Sequence, residues 1–188
     1  MTWSGGNPAQ VIERLRARGY RVEAFATSGL EDVAEQLLAV GRLAGTEDRA
    51  GAAAAGYLES LASLRAAQEG KRAVRVFYQV SARPLYTVGG DQVITRVLSL
   101  CRGENVFSDL GQLAAVVDLE AVVARDPEVI VGPEGTDLDG WARWPELAAV
   151  RDGNLFTVDA DLLARPSPRL LDGAARVCGL LDAARERR

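Results

Sequence analysis

The sequence predicts an α/β protein made of two small lobes joined by one long helix. Three observations carry this. Segments rich in Val, Phe and Tyr alternate with amphipathic helical segments, the pattern of strands covered by helices. One helical stretch, TEDRAGAAAAGYLESLASLRAAQEG (residues 46–70), is far longer than the others. At 1.5 Å per residue it reaches about 35 Å, which suits a strut between lobes better than a simple crossover. Strand patterns occur on both sides of this strut, so two small sheets are expected.

The elements follow in order. After Asn7, Pro8 stands in a first helical turn and opens a short helix to about Gly19, with Val11, Ile12 and Leu15 on one face. YRVEAFA reads as a strand, and GLEDVAEQLLAVGRLAG as a second amphipathic helix. Thr46 caps the long Ala-rich helix, with Glu47 and Asp48 favourably placed in its first turn. The pattern then restarts with the strand AVRVFYQV, a loop SARPLYTVGG and the helix DQVITRVLSLCRG. The helix LEAVVARDP and the strand EVIVGP come next. GWARWPELAAV places Trp141 and Trp144 three apart on one face of a short helix, as core or rim packing. The strand NLFTV, the loop DADLLARPSPR and the helix LLDGAARVCGLLDAARERR complete the chain.

Composition removes several classes of function. The chain has 188 residues, 48% of them hydrophobic, enough for one sizeable core or two small lobes. Its longest apolar runs fall far short of the ~18 residues of a spanning helix, so no membrane insertion is expected. A formal net charge of −4 argues against nucleic acid as a partner. Histidine is absent, which removes Ser-His and Cys-His dyads, imidazole acid/base work and His-ligated zinc. No metal-spaced Cys cluster and no carboxylate pair suited to catalysis stands out, so no catalytic residue, metal or cofactor is expected and the protein is read as a non-enzyme. Neither SGGN nor TVGGDQ fits GxGxxG or GxxxxGK[ST], which leaves nucleotide binding without support. No basic-plus-apolar leader precedes Trp3.

At this point the residues carry a resemblance. VFYQVSARPLYTVGGDQVITRVLSLCRGENVF, LEAVVARDPEVIV and WARWPELAAVRDGNLFTVDADLLARPSPRLLDGA resemble the C-terminal lobe of periplasmic cobalamin-binding proteins of ABC importers. LCRGENVFSD together with RPSPR marks the wider superfamily, which includes haem and siderophore receptors. The aromatic-proline loop before TVGG leans towards the cobalamin branch. The resemblance extends back through the strut to TWSGGNPAQVIERL, which looks like the middle of that family's N-terminal lobe.

The resemblance implies a helical-backbone periplasmic binding protein: residues 1–45 as a partial N-terminal lobe, 46–70 as the interlobe helix and 71–188 as the C-terminal α/β lobe. It also implies that the chain as given starts late, because MTWSGGN reads as an internal turn whose preceding strand is missing. A complete protein of this kind captures cobalamin, as transported ligand and not as cofactor, in an interlobe cleft and hands it to ABC transporter permease subunits. Its location is the periplasm. The alternatives are a haem or ferric-siderophore receptor of the same fold, or a nonfunctional fragment.

A corrinoid offers a broad apolar ring face fringed with amides, so its site needs aromatic surfaces and a few hydrogen-bonding groups. Trp3 and Tyr86 match aromatic positions that face the ligand in the family; packing on the core and anchoring a Pro-rich loop are their alternatives. Asp161 and Arg165 match an acidic and a basic position ahead of SPR, where they can accept from and donate to corrin amides, or else close the loop as a local ion pair. Arg169 reads as structural. Glu120 matches a carboxylate that docks on permease arginines, with a solvated helix-start carboxylate as the alternative. Its N-terminal counterpart falls on Ala9, leaving Glu13, one turn on, as substitute. Two family tryptophans fall on Ala114 and Ala24, the latter beside Phe25, so two stacking surfaces are expected to be missing.

The only thiols, Cys101 and Cys178, are expected to pair. Cys101 continues the apolar face of Ile94, Val97 and Leu98, and Cys178 that of Leu171, Ala174 and Ala175, so both point into the C-terminal core. Two buried inert thiols are the alternative.

Overall fold

The computed structural model describes residues 2, 3, 8–25 and 27–187, the first two by backbone alone. The chain is α/β and divides into two compact units, residues 1–58 and 59–188.

In the first unit β1 (Thr2–Trp3) lies parallel to β2 (Ala24–Phe25), in the register Thr2 to Ala24 and Trp3 to Phe25. Among the described residues of YRVEAFA, the strand is Ala24–Phe25, with Tyr20 to Glu23 outside it. Helix α1 (Ala9–Ala17) follows Pro8, and of its expected apolar face only Ile12 is buried, while Val11 and Leu15 are exposed. Helix α2 (Asp32–Ala44) is opened by the Asp32 carboxylate, which accepts from the Ser28 and Gly29 N–H groups at 2.8 and 2.9 Å. It is closed by Gly45 in the left-handed conformation, φ 65°, a C-terminal signal that a Cβ would strain. Helix α3 (Glu47–Ala66) packs closely on α2: a Cβ on Gly41 would lie 2.2 Å from that of Ala50. The Tyr57 hydroxyl donates to the Leu30 carbonyl at 2.9 Å. The long helix ends at Ala66 instead of residue 70, in a turn where Gly70 takes φ 74°.

The second unit is built on β3 (Val74–Ala82), whose register-pairing residues define its sheet. Antiparallel β4 (Leu85–Val88) follows a turn with a cis Arg83–Pro84 bond. The expected loop SARPLYTVGG is therefore a hairpin, because Tyr78 to Ala82 still offers ladder groups that Leu85 to Val88 satisfies. After helix α4 (Val93–Leu100), β5 (Gly103–Asn105) runs parallel to the first half of β3, and β6 (Ala114–Val116) runs antiparallel to β4. Both short strands escape a sequence reading. Helix α5 (Leu119–Arg125) leads to β7 (Val129–Pro133), a 3-10 turn (Asp139–Arg143), α6 (Ala148–Arg151) and β8 (Leu155–Val158). The sheet order is β6-β4-β3-β7-β8, with β3, β5, β7 and β8 parallel. Within DADLLARPSPR the segment Ala160–Leu163 forms a short helix, α7, so this is not a plain loop, and α8 (Leu170–Glu186) ends the unit.

Each face of the parallel part of this sheet is covered, as parallel strands require. On one face α8 approaches so closely that a Cβ on Gly103 would lie 2.9 Å from Leu181 and 3.2 Å from Val76. On the other, Phe77, Phe107, Ile130, Leu147 and Trp141 form a buried cluster, with Phe77 edge-on to Phe107 at 5.6 Å and to Trp141 at 5.8 Å. Val76 and Phe77 divide between the two faces because strand side chains alternate. Cys101 and Cys178 are joined in a disulfide, tying the end of α4 to α8. The buried stripe of α8 is Leu170, Gly173, Ala174, Val177, Cys178, Leu181 and Ala184. It is rotated from the expected stripe, since Ala175 is exposed.

Candidate functional site

The parallel strands β3, β7 and β8 end side by side at Ala82, Pro133 and Val158. Open α/β sheets bind ligands beyond such carboxyl ends. Three segments rise from this edge: the Arg83–Pro84 turn into β4, the loop from Glu134 to Trp144, and the run from Asp159 to Arg169.

Tyr86 sits on β4, paired to Ser81 on one side and Val116 on the other, and is half-buried. Directly paired residues share a face, so the exposed Val116 is the natural neighbour of its ring. Ala114, two residues back on β6, is exposed on that same face opposite Val88. Where the resemblance leads one to expect tryptophan, the surface here is Ala114 and the aliphatic Val116. Leu85 points to the opposite face from Tyr86.

Asp161 lies in the first turn of α7, whose N-cap Asp159 accepts from the Asp161 N–H at 2.9 Å. Arg165 reaches Asp161 at 3.6 Å, one turn apart, with 77% and 63% of the two side chains exposed. The pair is local, and both ends stay open to solvent. In the sheet, β4 and β8 are separated by β3 and β7, so these two strands lie about 14 Å apart at ~4.8 Å per spacing, with Asp161 beyond the end of β8. Arg169 forms the N-cap of α8.

A pocket of about 300 Å3 opens on the Leu85 face of the same edge, between the Arg83 turn, the start of α5 and the aromatic loop. Its deepest ring is Trp141, buried, whose indole N–H donates to the Gln79 side-chain carbonyl at 2.7 Å. The Gln79 amide in turn donates to the Asp137 carbonyl at 3.0 Å. Trp144 stands half-buried at 5.8 Å from Trp141, with Leu85 and Leu119 as further walls and Arg83 and Arg143 at the mouth. Trp141 is core and Trp144 is rim, in line with the expectation of packing roles. Gln79, Arg83 and Arg143 escaped the sequence reading. The signal for Gln79 was available: a carboxamide inside the apolar run VRVFYQV needs buried partners.

Gly89 and Gly90 of the TVGG segment have a packing role. A Cβ at either would meet the Gln112 or Ser108 carbonyl at 1.9 or 2.3 Å, so only glycine lets these backbones cross. Glu120 is exposed in the first turn of α5. In the other unit Glu13 is exposed on α1, and Ala24 and Phe25 are half-buried on β2. The Trp3 side chain lies outside the described residues. Among the described residues no group of three or more His, Cys, Asp or Glu is suited to hold a metal, and no helix is long and apolar enough to cross a membrane.

Comparison with known proteins gives consistent results. The profile described as "Periplasmic binding protein" matches residues 4–162. The vitamin B12-binding protein of Vibrio parahaemolyticus serotype O3:K6 is 32% identical over 191 aligned positions, covering 100% of this chain and 70% of the relative. The crystal structure of the periplasmic vitamin B12 binding protein BtuF of Vibrio cholerae superposes with a TM-score of 0.89 at 30% identity, over 97% of this chain and 73% of that one. The periplasmic heme-binding protein BhuT, in complex with two hemes, superposes with a TM-score of 0.84 at 17% identity, over 97% and 74%, a likeness of fold alone.

Proposed function

This chain belongs to the periplasmic binding protein family, and from that premise we propose that it is the cobalamin-capturing component of an importer. It works in the periplasm, carries out no catalysis, uses no cofactor and presents its ligand to a membrane permease. The observation that carries the reading is the identity of about one third with relatives named for vitamin B12, kept along the full length of the chain. A haem or ferric-siderophore receptor remains the second reading, favoured only by the likeness of fold to the heme-binding proteins.

The chemistry of the carboxyl edge supports corrinoid capture. Tyr86 offers a ring face next to exposed Val116, and Arg165 and Asp161 offer a donor and an acceptor that are solvent-accessible before binding. A ring system fringed with amides needs both kinds of surface and no proton shuttle. Glu120, solvated on the first turn of α5, is the proposed contact for a permease cation, with Glu13 as its counterpart on the first unit.

Titration of Tyr86→Ala and Arg165→Ala with cyanocobalamin tests the assignment. Each is expected to weaken binding by about 1–3 kcal/mol, the scale of a lost hot-spot contact, with thermal stability unchanged for Arg165→Ala. Two variants that bind like the parent protein would remove these residues from the site.

A further inference from the structure

The pocket beside Trp144 is separate from the surface just assigned to the corrinoid. Leu85 lines it, whereas Tyr86, the next residue on β4, faces the other way. At about 300 Å3 it stands at the lower limit of small-molecule pockets, room for one ring system and too small for a tetrapyrrole. We infer that it binds a small aromatic carboxylate, with the ring against Trp144 and the carboxylate between Arg83 and Arg143.

Charge and shape both lead to this class. The Arg83 and Arg143 guanidiniums have no hydrogen-bond or ion-pair partner among the described residues, although both residues sit on the lining. The one carboxylate present, Asp137, accepts from the Gly140 N–H at 3.2 Å within its own turn. Two guanidiniums against one carboxylate leave the mouth singly positive. A planar guanidinium fork matches a carboxylate with two parallel hydrogen bonds, and an indole face accepts a stacked ring. Leu85 and Leu119 supply apolar walls, which explains a preference for an aromatic acid over an inorganic anion.

The cavity is built in advance. Trp141 cannot swing into it, because its N–H is held by Gln79, and Gln79 is held by the Asp137 carbonyl. The Arg83 turn and the Asp137 loop follow the ends of β3 and β7, where the fold places its ligands. The site does not depend on the corrinoid reading.

The test is titration of the full chain with 2-naphthoate, followed by the indole N–H signals of the three tryptophans in isotope-edited NMR. Saturable shifts of the Trp141 and Trp144 signals are expected, with a Kd below about 1 mM. Neutral 2-naphthamide is expected to bind at least ~10-fold more weakly, and Arg83→Gln and Arg143→Gln each to weaken the acid by at least ~5-fold. Tyr86→Ala should leave naphthoate binding unchanged while weakening cyanocobalamin, so failure of one site reads separately from failure of the other. Absence of saturable shifts overturns the inference. So does equal binding of acid and amide, or indifference to both arginine variants.

Discussion

Trp141 and Gln79 lie 62 positions apart in the chain and meet through a 2.7 Å hydrogen bond from the indole N–H to the side-chain carbonyl, both residues being buried. This bond fixes the aromatic loop after β7 onto the end of β3, and with it the pocket wall. Removing the acceptor leaves a buried N–H unpaired, which costs about 1–3 kcal/mol, whereas removing both partners costs less. Gln79→Leu is therefore expected to lower unfolding free energy by that amount. Adding Trp141→Phe should cost less than the sum of the two single changes. Denaturant unfolding of the four proteins in the cycle measures it.

The disulfide between Cys101 and Cys178 spans 77 positions and pins α4 to α8. Cross-linking a loop of this length limits the unfolded chain and stabilises by about 4 kcal/mol on the chain-entropy argument. Cys101→Ser/Cys178→Ser is expected to lose roughly 2–4 kcal/mol of unfolding free energy. Titration of unfolded, non-reduced protein should count no free thiol, and a count of two would contradict the pairing. A stable bridge also fits the oxidising periplasm of the proposed function.

Burial pushes the Tyr78 phenol up to about 12, from an ordinary value of 10.0. The folded state thus favours the neutral phenol. The stability this contributes is complete below the unfolded value and is lost as pH rises through the folded one. Alkaline titration followed by tyrosinate absorbance should show a late component near pH 12 that shrinks in Tyr78→Phe. A titration curve whose late part is the same in both proteins would show that Tyr78 is not the group responsible. With no histidine, no side chain of that type adds a transition between about pH 5 and 8.

The Asp161–Arg165 pair is exposed at both ends, and pairs of this kind couple by less than about 1 kcal/mol. A double-mutant cycle in stability should return a value of that size. The same substitutions should register in corrinoid affinity, and the contrast separates a ligand contact from a loop closure. A large stability coupling with unchanged affinity would assign the pair to the loop alone.

Much of this architecture is legible in the sequence because it rests on period. The runs AVRVFYQV, EVIVGP and NLFTV are mostly apolar and bounded by turn residues, which suffices for β3, β7 and β8. Gly103 to Asn105 and Ala114 to Val116 carry no such pattern, since three-residue strands are recruited by the open edges of β3 and β4. YRVEAFA fails the other way: among its described residues, Ala24 and Phe25 alone pair as a strand, with β1. Among the candidate site residues, Tyr86, Asp161 and Arg165 were legible through resemblance alone, and their part in binding rests on the proposed function. Arg83 and Arg143 were not, because exposed arginines look alike until the fold sets two of them, 60 positions apart in number, on one pocket.

Isothermal calorimetry of the protein against cyanocobalamin, with haem and a ferric hydroxamate chelate as competing ligands, reads its ligand choice most directly. A one-to-one heat with cyanocobalamin at micromolar affinity or tighter, corresponding to about −8 kcal/mol or more favourable, is expected, with weaker or absent binding of both iron chelates. Binding of haem or the ferric chelate in preference to cyanocobalamin would contradict it and transfer the protein to the iron-ligand branch of its family.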